Sequence, residues 1–256
     1  MKIAVLVKIV PKRIEFDIAQ KRIIRSKETI INPNDLLSIG AAIFLKEKNN
    51  ATVTTISMGP ESVAQTYKKV FDFGVDRAIL LSDKLFANSD VYATSVVLSK
   101  GIQKFVNDFD LVFASDYSVD GNTALLGGSI AKFLNIPYFS HVFDFNYIED
   151  GSISIFRENN GFIDEFIGMG RLFLSFSPKY DKIALSNLYY IFNGKKDVEI
   201  YSNGDLGIDE QLLGLNGSKT LVEEVFSYEV KSGAKNLIKE NGHLTIINFL
   251  TKEELI

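Results

Sequence analysis

Cysteine and tryptophan are absent from the 256 residues, and only two histidines, three methionines and five prolines occur. Without cysteine there can be no disulfide framework, no thiolate nucleophile and no cysteine metal site. Two histidines as far apart as His141 and His243 nominate no histidine cluster and no Ser/His/Asp constellation. His141 lies in an apolar strand pattern and reads as a core residue whose polar atoms find partners, and His243 as solvent-facing. Basic excess is also missing: 28 Lys and Arg stand against 32 Asp and Glu, a net charge of −4. Non-specific nucleic-acid binding rests on clustered positive charge, so it is not expected. No apolar run reaches the roughly 18–20 residues that span a bilayer, so no membrane insertion is expected. The opening MKIAVLVKIVPKR has no small-residue cleavage site and reads as a buried strand, not a leader. The phosphate-loop pattern G-x-x-x-x-G-K-[ST] does not occur, because GLNGSKT (214–220) has the wrong spacing. Gly168-Met169-Gly170 lacks the third glycine of a dinucleotide fingerprint.

What is present is alternation. KIAVLVK (2–8), ATVTTIS (51–57), RAILLS (77–82) and DLVFAS (110–115) are near-continuous apolar runs. Such runs suit strands of a parallel sheet buried on both faces. Helical stretches lie between them. Asn32 caps the first, Pro33 takes its first position and Asp35 its first turn, with Leu36, Ile39, Ile43 and Phe44 inward. Gly59-Pro60 opens the second (Val63, Tyr67, Val70 and Phe71 inward) and Ser89-Asp90 the third. Asn122-Thr123 opens the fourth, with Leu126, Ile130, Phe133 and Leu134 inward. Strand–helix alternation of this length implies right-handed βαβ units. After Pro137, residues 138–176 alternate at period two around the turns 149–152 and 159–161, which predicts an antiparallel extension of the sheet. Residues 177–256 read as an irregular arm with short helices and a strand or two, a pattern expected to pack on a partner. The division is therefore 1–176 for the α/β domain and 177–256 for the arm.

Open α/β sheets bind ligands at the carboxyl ends of their strands. Three loops lie there: Val7-Lys8 to Pro11, Ser57 to Pro60, and Ser115 to Thr123, with Asn32-Pro33 at another helix start. The third brings small residues and backbone N–H groups to a helix N-terminus, which favours an anion such as phosphate. The local pattern alone fits a plain capped helix at least as well.

Six segments in order resemble the β subunit of electron transfer flavoproteins: AVLVKIVP (4–11), Ile31-Asn32-Pro33, Ser57 to Pro60, FGVDRAILLSD (73–83), SVDGNTALLG (118–127) and DLGIDEQLLGLNGSKT (205–220). The resemblance implies a parallel-sheet α/β adenine-nucleotide-binding fold, related to stress proteins and photolyases, with an antiparallel extension and an irregular C-terminal arm. It also implies a non-catalytic, cytoplasmic electron carrier. In this family the subunit pairs with an α subunit that holds most of the FAD. The heterodimer shuttles electrons from acyl-CoA or other flavin dehydrogenases. The β subunit buries AMP, or a second FAD in bifurcating members. Carried over by position, the nucleotide site comprises Leu6, Asn32, Met58, Ser115, Asp120, Gly121, Asn122, Thr123, Ala124, Leu125 and Leu126. Backbone amides of Asn122 to Leu126 would meet phosphate, and Asn32 and Asp120 are the side-chain candidates. Arg157-Glu158 matches a pair near the flavin and the mobile α domain. Leu188 matches the leucine that docks partner dehydrogenases, with Lys195-Lys196 after it. Simple helix packing is the other reading of Leu188.

Three departures stand out. Leu125 occupies a position where the family usually has glutamine, which removes a donor to phosphate. Asn122 replaces a common aspartate, which removes a negative charge there. The stretch 182–187 (KIALSN) lacks the E-P-R-Y-P-S that ordinarily precedes the docking leucine. The competing reading is a stand-alone nucleotide-binding regulatory module of the universal-stress-protein type. That class expects a G-x-x-G-x(9)-G-[ST] signature, which does not appear. A pyrophosphatase-type ligase would want S-G-G-x-D-S after the first strand, where Lys8-Ile9-Val10-Pro11 stands.

Overall fold

Alternating strands and helices assemble into one nine-stranded sheet in the computed structural model, which describes every residue except 18–21, 149–150, 195–196, 222–246, 248–250 and 252–256. The chain begins with β1 (Lys2–Leu6) and a ribbon of β2 (Ile9–Pro11), β3 (Ile14–Asp17), β4 (Arg22–Arg25) and β5 (Thr29–Ile31), in which β2 pairs with β5 and β3 with β4. Then come α1 (Asp35–Asn49), β6 (Thr52–Met58), a run of helical turns containing α2 (Ala64–Tyr67), β7 (Arg77–Leu81), α3 (Val91–Phe105), β8 (Leu111–Ser115) and α4 (Leu126–Leu134). The antiparallel part is β9 (Tyr138–Tyr147), β10 (Ile153–Asn159) and β11 (Phe162–Gly168). The chain continues through β12 (Leu172–Phe176), α5 (Leu188–Asn193) and β13 (Val198–Tyr201), then short helical turns to Gly217. The sheet order is β11-β10-β9-β12-β8-β1-β6-β7-β13. Every pairing from β9 across to β13 is parallel.

The apolar runs have the predicted meaning. Ile3, Val5 and Val7 enter one hydrophobic core while Ala4 and Leu6 enter the other, so β1 is buried on both faces. Val63, Tyr67, Val70 and Phe71 are buried as expected. Among the described residues no helix is long and apolar enough to cross a membrane.

Several details differ from the sequence reading. Residues 162–176 are two strands, not one. Period-two alternation ends at Gly168, Gly170 turns the chain at φ +76°, and LFLSF then inserts between β8 and β9, parallel to both and wholly buried. The change from alternating to continuous apolar residues marks this switch from a half-exposed to a two-sided strand. The first helix starts at Asp35, because Asn32 to Asn34 form the turn that leads into it. It also buries more than one stripe: Leu37, Ser38, Ala41 and Ala42 are buried beside Ile39, while Leu36, Ile43 and Phe44 are only partly so. The reason is a strap, residues 180–187, laid across the helix at Gly40. A Cβ there would collide with the Lys182 carbonyl, and the Ala184 N–H bonds the Leu36 carbonyl. The fourth helix begins at Leu126, after a non-helical loop, and Phe133 lies at its flank, edge-on to Tyr92 of α3.

Candidate functional site

The loops at the carboxyl edge are tied together by buried polar side chains. The Lys8 N–H donates to Asp35 Oδ2 at 2.6 Å, and the Lys8 carbonyl accepts the Asn32 N–H at 2.8 Å. These two bonds join the end of β1 to the start of α1. Asn32 is fully buried. Its Nδ2 donates to Asp35 Oδ1 at 2.8 Å and lies 3.4 Å from the Tyr117 carbonyl, while its Oδ1 accepts the Val119 N–H at 3.2 Å. Asn34 donates to the same Tyr117 carbonyl at 3.1 Å, and the Ser115 hydroxyl donates to Asp35. The loop after β8 is therefore sewn to α1 by side chains about 80 residues away in sequence. Burial pushes the Asp35 carboxyl up to about 6, against the opposing effect of bonds from Ser115, the Lys8 N–H and Asn32.

A second buried carboxylate holds the other side of the loop. Asp116 Oδ1 accepts the His141 N–H at 3.1 Å and the Ser175 hydroxyl, which joins the ends of β8, β9 and β12. Its Oδ2 is buried without a partner among the described residues. Ser175 also bonds the Tyr138 hydroxyl at 2.9 Å. Tyr138 lies so close to Gly127 that a Cβ there would stand 2.9 Å from the ring. His141 is not a core residue. Its φ of +58° interrupts the β9–β12 register, gives its N–H to Asp116 and leaves the residue exposed. His243 lies outside the described residues.

Between these anchors the loop turns sharply. Asn122 and Ala124 adopt φ of +48° and +55°, the left-handed region that a non-glycine residue seldom enters. The Asn122 N–H is consumed by the Ser118 carbonyl at 2.9 Å, whereas those of Thr123, Ala124, Leu125 and Leu126 find no partner among the described residues. Left-handed Ala124 followed by right-handed Leu125, with successive N–H groups unbonded among the described residues, is the kind of backbone that makes an anion-binding concavity. Lys8 Nζ reaches into the same loop, 2.6 Å from Asp120 Oδ1 and 3.3 Å from Ser118 Oγ. Burial would raise the Asp120 carboxyl, but the bond and charge of Lys8, with Ser118, hold it below the usual carboxylate range.

The residues nominated from sequence fall into three groups. Asn32, Ser115 and Asp120 meet through the bonds above, and Gly121 to Leu125 are the exposed tip of the same loop. Leu6 belongs to the second hydrophobic core, and Met58 and Leu126 pack against it. Arg157 stands on the same row, since register runs from Ser115 to Phe176, Val142 and Arg157, about 14 Å over three strand spacings. It pairs with Asp164 at 3.3 Å, and Glu158 pairs with Lys179. Leu188 is not brought to the loop cluster. It opens α5 on the turn before β7, where the Asn187 N–H bonds Asp72 and Tyr190 covers Gly74. Lys195 and Lys196 lie outside the described residues. Lys8, Asp35 and Asp116 join this cluster without having been singled out for it from the sequence, although Asp116 stands in the third carboxyl-end loop. Lys8 does stand in the first carboxyl-end loop, and Asp35 was readable only as a first-turn acid.

A family model for the electron transfer flavoprotein domain matches residues 21–165, which run from β4 through the loop after β8 into β11. A protein of Thermoanaerobacterium thermosaccharolyticum named electron transfer flavoprotein subunit beta is 34% identical, covering 93% of this chain and 97% of its own length. The chain belongs to the electron transfer flavoprotein β-subunit family. Its similarity to relatives of other names fits the same placing. Protein FixA of Azotobacter vinelandii is 32% identical over 83% of this chain and 78% of its own. Subunit CarD of the caffeyl-CoA reductase–Etf complex of Acetobacterium woodii is 32% identical over 92% and 91%. Membership gives the chain an electron transfer flavoprotein β role in electron transport. Both carboxylate anchors of the loop, Asp35 and Asp116, lie within the matched region.

Proposed function

We propose that this chain pairs with an electron transfer flavoprotein α subunit, and that the heterodimer carries electrons in the cytoplasm from acyl-CoA or other flavin dehydrogenases. The chain itself catalyses nothing. FAD is held mainly by the α subunit, and the carboxyl edge described above buries AMP, or a second FAD if the complex bifurcates electrons. The single observation that carries the nucleotide reading is the loop 118–126. It combines four N–H groups without a partner among the described residues, left-handed turns at Asn122 and Ala124, and the Lys8 ammonium. These residues fit a phosphate ester.

Thr123 to Leu126 would hold phosphate through backbone amides, beside Gly121 and Asn122. Leu6 and Met58 would offer apolar contact. Asn32, Ser115 and Asp120 act from behind, fixing the loop and the Lys8 stem. The bound flavin supplies the one- and two-electron chemistry. This chain positions it and gives the complex its partner surface, including Arg157-Glu158 on the flavin side. The arm, residues 177–256, is the proposed partner contact, and among its described residues the 70% and 80% exposure of Leu188 and Phe192 supports this.

The test is co-expression with the α subunit, followed by denaturation and quantification of released FAD and AMP per heterodimer. One FAD with one AMP is the outcome for an ordinary carrier, and two FAD without AMP for a bifurcating one. No flavin and no stable complex would overturn the proposal and leave a stand-alone nucleotide-binding module. Gly121→Asp puts a carboxylate beside the phosphate, where like charges at about 4 Å repel by several kcal/mol in a partly buried site. Retention of nucleotide at full occupancy in that variant would remove the loop from the site.

A further inference from the structure

Lys8 is anchored at its backbone and reaches with its head to a second loop. Its N–H and carbonyl are both bonded to buried residues, Asp35 and Asn32, so the side chain leaves the sheet from one defined point. It crosses to a loop 112 residues further on, where Nζ bonds Asp120 and lies 3.8 Å from the place a Gly121 Cβ would occupy. The pair is asymmetric in exposure. The Asp120 side chain keeps 15% of its surface in solvent, and that of Lys8 keeps 46%. A ligand arriving from solvent therefore meets the ammonium before the carboxylate. Asp120 alone would repel an anion at the neighbouring amides, and paired with Lys8 it does not.

We infer, on the basis of the nucleotide reading above, that Lys8 is the charged contact for the phosphate ester of the bound adenine nucleotide, and that Asp120 holds its ammonium over the loop until the anion arrives. Lys8 then selects for a phosphorylated ligand and contributes nothing to recognition of the neutral nucleoside. Asp120 is a positioning residue, since it acts through Lys8. AMP and FAD share this chemistry, and the choice between them is made by the rest of the complex.

The experiment is titration calorimetry on the α/β complex after removal of bound nucleotide, with AMP, FAD and adenosine as the probes. Lys8→Met keeps the stem and removes the charge. It is expected to weaken whichever of AMP or FAD the wild type binds by about tenfold, the lower end of the range for a bond to a charged group. Adenosine binding stays unchanged, and the salt dependence of nucleotide binding falls. Lys8→Arg restores affinity to within about threefold, because the charge is kept although the geometry differs. Asp120→Asn keeps the charge on Lys8 but releases its head, and is expected to weaken nucleotide binding by about threefold, less than Lys8→Met does, with adenosine binding unchanged, which remains informative even if Lys8→Met folds poorly. Unchanged nucleotide affinity in Lys8→Met overturns the inference, as does an equal loss for adenosine, which would mark a structural effect. If wild type itself fails to distinguish AMP and FAD from adenosine, the phosphate loop fails, and the inference with it. Wild-type discrimination without a Lys8 effect removes the inference alone.

Discussion

The carboxyl edge of the sheet and two separate outer patches, one on β11 and one on α5, are built on opposite plans. At the edge, polar side chains are buried and bonded inward: Asn32 is fully buried, Asp35 and Asp116 nearly so, and each bonds elements distant in sequence. On the outer surface, apolar side chains point outward. Phe162, Ile163, Ile167 and Met169 follow the free edge strand, and Leu188, Tyr189 and Phe192 stand on α5. Fixing a small anion needs preorganised donors, whose stiffness comes from a satisfied network behind them. Binding another polypeptide needs contiguous apolar area, whose anchors contribute little until they are covered. One chain thus carries a tightly bonded loop cluster and exposed apolar patches, and the strap 180–187 runs from the end of β12 over α1 to the patch on α5.

That strap gives the largest expected effect. Gly40→Leu places a side chain where the Lys182 carbonyl and Ala184 N–H lie. Backbone cannot yield as a flexible side chain does, so a loss on the order of 4 kcal/mol or more is expected in denaturant unfolding. Proteolysis should show cleavage concentrated near 180–190, with the 118–126 loop cleaved no faster than in wild type. Equal loosening of both regions would show that the strap supports the pocket as well as the outer face.

Asn32→Ala strikes the pocket alone. It strands the Val119 N–H, takes a donor from Asp35 and leaves the Tyr117 carbonyl to Asn34 and Ser115. A loss of about 3 kcal/mol is expected, since orphaned buried groups cost more than the bond itself was worth. Hydrogen exchange should rise in residues 117–126 and stay unchanged in α5. A uniform rise would dissolve the contrast between the two regions.

The elements of this contrast were not equally legible in the residues. Apolar runs such as KIAVL and LVFAS are decided by local composition, so the parallel strands could be read directly. The SVDGNTALLG loop was readable as a turn into a helix, though not the four residues by which the helix start is delayed. Lys8, Asp35 and Asp116 escaped because their roles depend on partners 27 to 112 residues away, and a long-range hydrogen bond leaves no periodicity. Asn32 was found for a partly different reason: it caps no helix and instead crosses to the loop. His141 was misread because its apolar neighbours suggested a buried strand position, whereas it stands exposed beside buried Val142 at a left-handed break in the strand.

The buried carboxylate of the pocket gives a smaller, pH-dependent effect that the outer face lacks. The native Asp35 carboxyl lies at about 6 against 3.8 in the ordinary case. The folded state therefore holds a proton that the unfolded state has released between those values. The stabilising contribution is complete below the ordinary value and is lost as pH rises through about 6. Wild type should gain about 1–2 kcal/mol relative to Asp35→Asn as pH falls from 7 to 5, at 1.36 kcal/mol per unit. Carboxylates held low, such as Asp90 and Asp120, lose their contributions only as pH falls further, below this window. A difference between the two proteins that does not change with pH would show that Asp35 is ionised in the fold throughout.

The smallest stability effect is the most discriminating. Leu188 is 70% exposed at the first position of α5, and the Asn187 side chain caps that helix by accepting the Tyr189 N–H at 2.8 Å. A side chain so exposed has little apolar area to lose on truncation. Leu188→Ser should therefore change unfolding free energy by less than about 0.5 kcal/mol. If Leu188 belongs to the face that receives a dehydrogenase, the same variant should lower electron transfer from that dehydrogenase by raising KM, with the nucleotide and flavin content of the heterodimer unchanged. A helix-packing role predicts the reverse pattern: a lower melting temperature with an unaltered KM for the partner. Phe192→Ser, 80% exposed one turn later, should follow Leu188 if the face acts as a unit, because neighbouring anchors in one interface couple while a scattered surface residue does not.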